Sequence, residues 1–393
     1  MGKYRFKMKK SVKVCFIIIF LLVGILVEFL WENNKNGPII IGFSAQLSGS
    51  QAELGVQERN GVQLAVEEIN ESGGIDERNV SLIVNDDRGI AKRAEVGDEE
   101  LIKKGAVAII GHATTAQTLE GLKATNPANI IMIGATVSTP ELSGIDDYFF
   151  RVHPSFKNSV QTFAKHIYNH NKLSHMSIIY DKDNSSYSKT YGEIFMDEFK
   201  KLGGNITDVI MFSSVIQPDF FPILAKLQES KPEGLLIIAS DVDTALIAQR
   251  AKLIDKKISL FTSAWAQTET LISNGGQAVE GMEIEEAYNI TNQSERFTEF
   301  RTKYKARFGN EATFGSAYSY EATLILAEAL KRTNGSKDGL KQSLLETRDF
   351  TGLIDKISID KFGDVERSYY ISIINEGKFK IIHEFTSANT GGN

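Results

Sequence analysis

The chain has 393 residues, which is too long for one compact core and typical of two domains. With 42% apolar and 24% charged residues, disorder is excluded over most of its length. Residues 1–37 carry seven Lys or Arg against two Glu, whereas the whole chain has a net charge of −6. The remainder therefore carries about −11, which predicts that nucleic acid is not a partner.

The first features along the chain are a basic segment and an apolar run. The basic residues between Lys3 and Lys13 precede Val14–Val27, a run of 14 residues without a charge. This order is typical of an export signal whose basic end stays in the cytoplasm. The run fits the apolar part of a signal peptide, and its extension through Trp31 makes 18 residues, enough for a short membrane anchor. Under both interpretations the remainder is exported.

Cys15 is the only cysteine and stands at the start of the apolar run. The acylated cysteine of a lipoprotein follows such a run, so we expect no lipid attachment. The exported part contains no thiol, and this excludes disulfides, thiolate metal sites and a cysteine nucleophile there.

After Gly37, short β-branched runs alternate with amphipathic stretches, which predicts an α/β fold. Continuous apolar runs such as Ala106–Ile110 and Ile130–Gly134 are typical of parallel strands buried on both faces. The alternation restarts near Asn158, and the chain ends in a predicted hairpin, Tyr370–Asn375 with Phe379–Glu384.

This order predicts two doubly wound parallel-sheet lobes joined by a hinge that the chain crosses more than once. We expect lobe 1 to comprise residues 38–154 and 288–368. Lobe 2 is expected from residues 155–287 and 369–388, with 1–37 as signal peptide or anchor and 389–393 as a tail.

Two strand-to-helix turns carry candidate ligand contacts, because ligands of open α/β sheets bind beyond the carboxyl ends of the strands. One turn contains Thr115. The next contains Thr136 and Ser138, followed by Thr139-Pro140, which suits the start of a helix. Each hydroxyl alone is well explained as a helix cap. Two such turns on successive strands of one lobe predict a carboxylate cradle.

Ordered motifs run through the exported chain: GFSAQLSG at 42–49, GVQLAVEEIN at 61–70 before GGI at 73–75, DD at 86–87 and KFGD at 361–364. Together they resemble the leucine/isoleucine/valine-binding protein family of ABC importers. The resemblance implies the type I periplasmic-binding fold and a small-molecule ligand, either an amino acid or a small carboxylate. It further implies an ABC permease as the membrane partner, no cofactor and no catalysis.

The resemblance also implies ligand contacts. The family's first-lobe contacts fall on Thr115, Thr136 and Ser138, which would hold a carboxylate and an amino group. Its second-lobe tyrosine falls on Tyr187, for which a surface aromatic is the alternative interpretation.

Two further family contacts are substituted. Asp241 replaces an aromatic residue, and Trp265 replaces the glutamate that binds the ligand's ammonium group. Asp241 would then have to accept that group, while Trp265 could stack on an aromatic ligand or offer a cation–π face. The alternatives are a helix N-cap for Asp241 and core or hinge packing for Trp265.

Catalytic and metal signatures are weak. His166 and His170 have the i,i+4 spacing of metal ligands on a helix, but no third ligand is implied, so we predict a solvated helix end and no metal site. No phosphate-binding loop and no G-x-S-x-G turn occurs. An amidase-type hydrolase is therefore disfavoured, and a tethered ligand-sensing receptor that reports to a separate membrane partner is the alternative to transport.

Overall fold

The computed structural model describes residues 37–49, 52–216, 219–289 and 291–386. Apart from Gly37, the predicted signal peptide or anchor at 1–37 lies outside these residues, as does the tail at 389–393. Within them, no helix has both the length and the apolar character needed to cross a membrane.

Strands and helices alternate along most of the described chain. The strands are β1 (Ile39–Ala45), β2 (Val80–Asp86), β3 (Ala108–Gly111), β4 (Ile131–Gly134), β5 (Phe149–Arg151), β6 (His175–Asp181), β7 (Asn205–Phe212), β8 (Gly234–Ile238), β9 (Ser259–Ser263), β10 (Glu283–Glu286), β11 (Phe350–Thr351), β12 (Lys356–Ile357), β13 (Tyr369–Ile374) and β14 (Phe379–Phe385). The α-helices are α1 (Glu53–Glu71), α2 (Ala91–Lys103), α3 (Thr115–Thr125), α4 (Lys157–Asn169), α5 (Ser185–Lys201), α6 (Phe220–Ile223), α7 (Lys226–Ser230), α8 (Asp241–Ile254), α9 (Glu269–Gly275), α10 (Glu295–Phe308), α11 (Phe314–Arg332) and α12 (Leu340–Leu345).

Two main sheets form, one in each lobe. The first has the order β2-β1-β3-β4-β5 and is parallel throughout. The second has the order β14-β13-β10-β9-β8-β6-β7, parallel from β10 to β7, with the predicted C-terminal hairpin added antiparallel at its edge. Strands β3, β4 and β8 are buried along their whole length, as their continuous apolar runs predict.

Residues 220–230 form two short helices, α6 and α7, instead of one continuous helix. The N–H groups of Ala225, Leu227 and Gln228 bond to carbonyls three residues back, which is the tighter 3₁₀ spacing. This local tightening interrupts the α-helix while Leu224 and Leu227 both stay buried.

The late helix α11 returns to the first lobe and packs along α1. The helices approach closely at Gly61, where a Cβ would lie 2.1 Å from the carbonyl oxygen of Ser316. The hydroxyl of Ser319 donates to the carbonyl oxygen of Glu58 at 2.8 Å. This packing holds Glu58 and the start of α11 at the edge of the first sheet.

A buried ion pair fixes the chain where it leaves lobe 1 for the last time. Arg367 Nη1 donates to Glu321 Oε2 at 2.6 Å, and Arg367 Nη2 lies 2.6 Å from Asp355 Oδ1. The guanidinium also lies 4.7 Å from the centre of the Tyr318 ring. Since the side chains of Arg367 and Glu321 are only 1% and 2% exposed, neither charge has water as an alternative partner.

We expect Glu321→Ala to lower the free energy of unfolding by about 3 kcal/mol, because it leaves a buried cation with one acidic partner fewer. Urea denaturation measures the change. The control is Glu328→Ala on the same helix, whose pair with Lys331 is about half exposed and should contribute about 1 kcal/mol or less. Equal losses for the two variants would contradict a special role for the buried pair.

Candidate ligand-binding site

A small cavity lies between the lobes, beyond the carboxyl ends of strands in both sheets. Five of the six predicted contacts line it: Thr115, Thr136 and Ser138 from lobe 1, and Tyr187 and Trp265 from lobe 2. Its remaining lining residues are Leu54, Ala113, Thr114, Val137, His153, Asn184, Ala264 and Phe314. The structure thus brings together side chains that are far apart in the sequence.

Thr115 is the first residue of α3, and this helix begins at the cavity without a side-chain cap. The preceding Thr114 is extended, and its hydroxyl donates to the side-chain oxygen of Gln117. The first-turn N–H groups of α3 therefore lack a side-chain acceptor from the N-cap residue. Together with the positive end of the helix dipole, they suit a carboxylate.

The turn that precedes α3 is fixed by a buried histidine. His112 lies 2.9 Å from Asp87 through Nδ1 and 3.0 Å from Asp98 through Nε2. Burial opposes a charge on the ring, but the two carboxylates outweigh it and raise the pKa of His112 to about 10. Gly111 allows the chain to run close to β1, because a Cβ there would lie 2.1 Å from the Ser44 carbonyl oxygen. The start of α3 is thereby held against the sheet.

The Thr136 hydroxyl lies between the Glu58 carboxyl group and the Ala113 carbonyl oxygen, 2.9 Å from the latter. Burial raises the pKa of Glu58 to about 8, although the hydrogen bond with Thr136 works against this rise. Glu58 is therefore largely protonated at pH 7 and can donate to Thr136, which in turn donates to Ala113. The hydroxyl of Thr136 then has a lone pair left to accept a ligand N–H.

The second lobe contributes an aromatic wall. Tyr187 lies in the first turn of α5, and its ring meets that of Trp265 edge-on, with 5.7 Å between ring centres. Phe156 contacts the same tyrosine edge-on at 5.3 Å. Edge-to-face pairs of this kind hold rings in fixed orientations. Trp265 is half-buried, lies two residues after the end of β9 and lines the cavity.

Asp241 is the one predicted contact that does not line this cavity. It is the first residue of α8, and its carboxylate accepts hydrogen bonds from the Thr268 hydroxyl at 2.6 Å and the Val242 N–H at 2.8 Å. The N-cap of α8 is Ser240, which accepts a hydrogen bond from the Asp243 N–H. The carboxylate of Asp241 is thus already satisfied within lobe 2.

Sequence analysis missed Leu54 and Phe314 as lining residues. Leu54 lies in the first turn of α1, after β1, so the same strand-to-helix rule could have found it. Phe314 begins α11 and reaches the cavity only because that helix packs on α1. His153 was also missed. Burial lowers its pKa to about 4, so it is neutral at the cavity wall.

The lobes touch across the mouth of the cavity. The Thr139 hydroxyl donates to the Ser186 carbonyl oxygen at 3.2 Å, and the Thr190 hydroxyl donates to Glu141 Oε1 at 2.9 Å. About 30 Å³ of space is left in this cavity, whereas ligand pockets generally measure about 300–1,000 Å³. The lobes are thus closed over the cavity, and a ligand of amino-acid size fits there only if they move apart.

A larger cavity of about 530 Å³ lies beside the crossing segments and shares His153 with the smaller one. Its two buried arginines already have acidic partners, Arg151 with Asp364 at 2.7 Å and Arg367 with the carboxylates described above. Because these two cations are already paired, this cavity is a poorer candidate for binding a carboxylate ligand.

Comparisons with known proteins agree with this architecture. The family model described as periplasmic binding protein matches residues 38–378. The chain belongs to this family. A curated relative, Leu/Ile/Val-binding protein homolog 1 of Brucella suis, is 24% identical over 353 residues, which cover 85% of this chain and 89% of the relative.

Two solved structures show the same fold. The leucine binding protein LivK of Thermotoga maritima has a TM-score of 0.82 at 22% identity, covering 89% of this chain and 99% of that one. A solute binding protein of an ABC transporter from Rhodopseudomonas palustris, in complex with 3,4-dihydroxybenzoic acid, has a TM-score of 0.79 at 20% identity, covering 89% and 98%.

Family membership confirms the predicted resemblance and the two-lobed α/β fold. It also confirms that this periplasmic binding protein captures a small-molecule solute outside the cytoplasm and is not an enzyme. The individual contacts proposed for the ligand stay predictions.

A pH-dependent stability test follows from Glu58. The folded protein keeps a proton on Glu58 up to about pH 8, whereas the unfolded chain loses it near 4.5. The wild type should therefore lose stability as the pH rises through this window. The glutamine of the Glu58→Gln variant cannot ionise, so this variant does not lose stability in that way. The difference in unfolding free energy between the variant and the wild type should therefore grow by about 1.4 kcal/mol per pH unit across the window, in favour of the variant. Urea denaturation at several pH values measures this difference, and a constant difference would contradict the assignment.

Proposed function

We propose that this periplasmic binding protein captures an amino acid or a similar small carboxylate between its closing lobes and delivers it to an ABC permease. The main support for this proposal is that five of the six predicted contacts line one cavity, with the uncapped start of α3 on one side of it. The related proteins support a carboxylate, because leucine and 3,4-dihydroxybenzoic acid share that group.

The first lobe binds the carboxylate. Thr115 and Ser138 are 2% and 4% exposed, so their hydroxyls act in a largely dry environment where hydrogen bonds to a charge are strong. The first-turn N–H groups of α3 add further donors. This side of the cleft is rigid, since His112 and its two carboxylates hold the turn before α3.

The second lobe closes over the rest of the ligand. Tyr187 and Trp265 cover its side chain, and Trp265 favours a planar or apolar group over a small polar one. An ammonium group has two candidate acceptors. Thr136 offers a lone pair at the cavity, while Asp241 offers a full charge only if its bonds to Thr268 and Val242 are exchanged for the ligand.

The lobe limits follow the two sheets. We propose lobe 1 at residues 38–154 and 288–368, and lobe 2 at 155–287 and 369–388, so that the chain crosses near 154, 288 and 368. We further propose that residues 14–31 tether the protein to the cytoplasmic membrane, since their apolar run lacks a small-residue cleavage site.

The proposal is tested first at the carboxylate cradle. A thermal-shift screen of amino acids and aromatic acids identifies the ligand, since a ligand at about 100 times its Kd adds about 2.7 kcal/mol to stability. We then expect Thr115→Ala and Ser138→Ala each to weaken binding about tenfold or more, because each removes a donor to a charged group. Calorimetry measures the affinities.

The control is Thr125→Ala, a buried threonine at the far end of the same helix α3. Its hydroxyl lies near the Gly121 carbonyl oxygen and away from the cavity, so ligand affinity should not change. Unchanged binding in both cradle variants would place the carboxylate elsewhere.

Asp241 and Trp265 are distinguished by pairing an amino acid with its deaminated analogue. If Asp241 accepts the ammonium group, Asp241→Asn weakens binding of the amino acid strongly and spares the analogue. Trp265→Ala should weaken the binding of an aromatic ligand whether or not that ligand carries an amino group, because the substitution removes the surface on which the ligand stacks. If neither variant alters either affinity in calorimetry, both residues have only structural roles.

A further inference from the structure

Three of the six histidines meet on lobe 2, well away from the cavity. His166 and His170 lie one turn apart at the end of α4, and His383 reaches them from β14. One nitrogen from each ring lies within 4.8 Å of the others, and the ring centres are 4.8 to 5.2 Å apart. The spacing of His166 and His170 predicted a solvated helix end because no third ligand was visible; β14 supplies that third imidazole.

The three rings can converge on one ion. Ligand atoms about 2.0–2.1 Å from a tetrahedral Zn²⁺ lie roughly 3.3 Å from one another. The rings of His166 and His170 are stacked with 19° between their planes, so both must rotate about their side-chain bonds to aim their nitrogens at one ion. His170 is exposed and His383 is half-buried, which leaves a path for an ion and a site for a water ligand.

A carboxylate behind the cluster orients the most buried ring. Glu283 Oε2 lies 2.7 Å from His166 Nε2, and Glu283 Oε1 accepts a hydrogen bond from the Asn171 amide at 2.7 Å. Nδ1 of His166 is therefore the nitrogen left for an ion. A histidine held by a carboxylate on its other nitrogen is the usual arrangement behind metal-binding imidazoles.

We propose that His166, His170 and His383 bind one divalent transition-metal ion of the kind that prefers imidazole, such as Zn²⁺, with water completing the coordination. Glu283 is a positioning residue. It begins β10, whereas the ligand cavity lies beyond the carboxyl ends of the strands. The metal therefore binds at the opposite end of the lobe 2 sheet, where it links α4 to the C-terminal strand.

The test uses the full chain, purified without a histidine tag, treated with a chelator and titrated with ZnCl₂ in a calorimeter. We expect one Zn²⁺ per chain and a rise in melting temperature, because the ion binds the folded arrangement. His170→Ala and His383→Ala should each lower Zn²⁺ affinity at least tenfold, and Glu283→Gln about 10- to 100-fold. Mg²⁺, which prefers oxygen ligands, should give no comparable heat.

The matched control is His175→Ala, an exposed histidine of the same lobe whose nearest acidic group is Glu233 at 3.7 Å. Zn²⁺ binding should be unchanged in this variant. The proposal is overturned if the wild type binds no stoichiometric Zn²⁺, or if His170→Ala binds it as the wild type does. His170 is exposed, so its replacement leaves folding intact, and binding of the cavity ligand serves as the check on the fold.

Discussion

The parallel pairing of strands is the constraint on which the site depends. Because parallel strands all end at the same edge of a sheet, the turns after β3 and β4 lie side by side. The turns after β6 and β9 share one edge of the other sheet, with β8 between these two strands. Two such edges face each other across the cleft. The residues of these turns lie outside the sheets, so a different side chain at a position such as Trp265 is compatible with the same fold.

Buried charges hold the first lobe rigid beneath this edge. The imidazolium of His112 with Asp87 and Asp98 fixes the start of α3, and the Arg367–Glu321 pair fixes the last crossing to lobe 2. Such groups are costly to bury and contribute little net stability unless all partners are present. Here these buried groups hold the start of α3 in one position. The hydrogen-bond donors of the cleft are therefore already in place, and little binding free energy is lost in ordering them.

Sequence patterns predicted the strands with continuous apolar runs, because burial on both faces dictates their composition. They failed at β10, whose residues Glu283, Glu285 and Glu286 are buried acids that no hydrophobic pattern would assign to a central strand. Two of them have long-range partners, since His166 and Asn171 bond Glu283 and the Tyr191 hydroxyl bonds Glu285. Burial raises the pKa of Glu286 well above its usual value, which favours its neutral form. Sequence patterns also did not reveal that Phe314 lines the cavity or that a third histidine joins His166 and His170, because only tertiary packing brings these residues to their neighbours.

The closed arrangement shows how binding is linked to closure. The direct bonds across the mouth are few and partly exposed, namely Thr139 to Ser186 and Thr190 to Glu141, so they contribute only modestly to holding the lobes together. A ligand that touches Thr115 and Trp265 at once makes its full set of contacts only when the lobes are closed. Its differential affinity for the two forms then shifts the population toward closure. Contacts within one lobe, including those among the three histidines, do not span the cleft, so a rigid-body separation of the lobes would leave them outside this linkage.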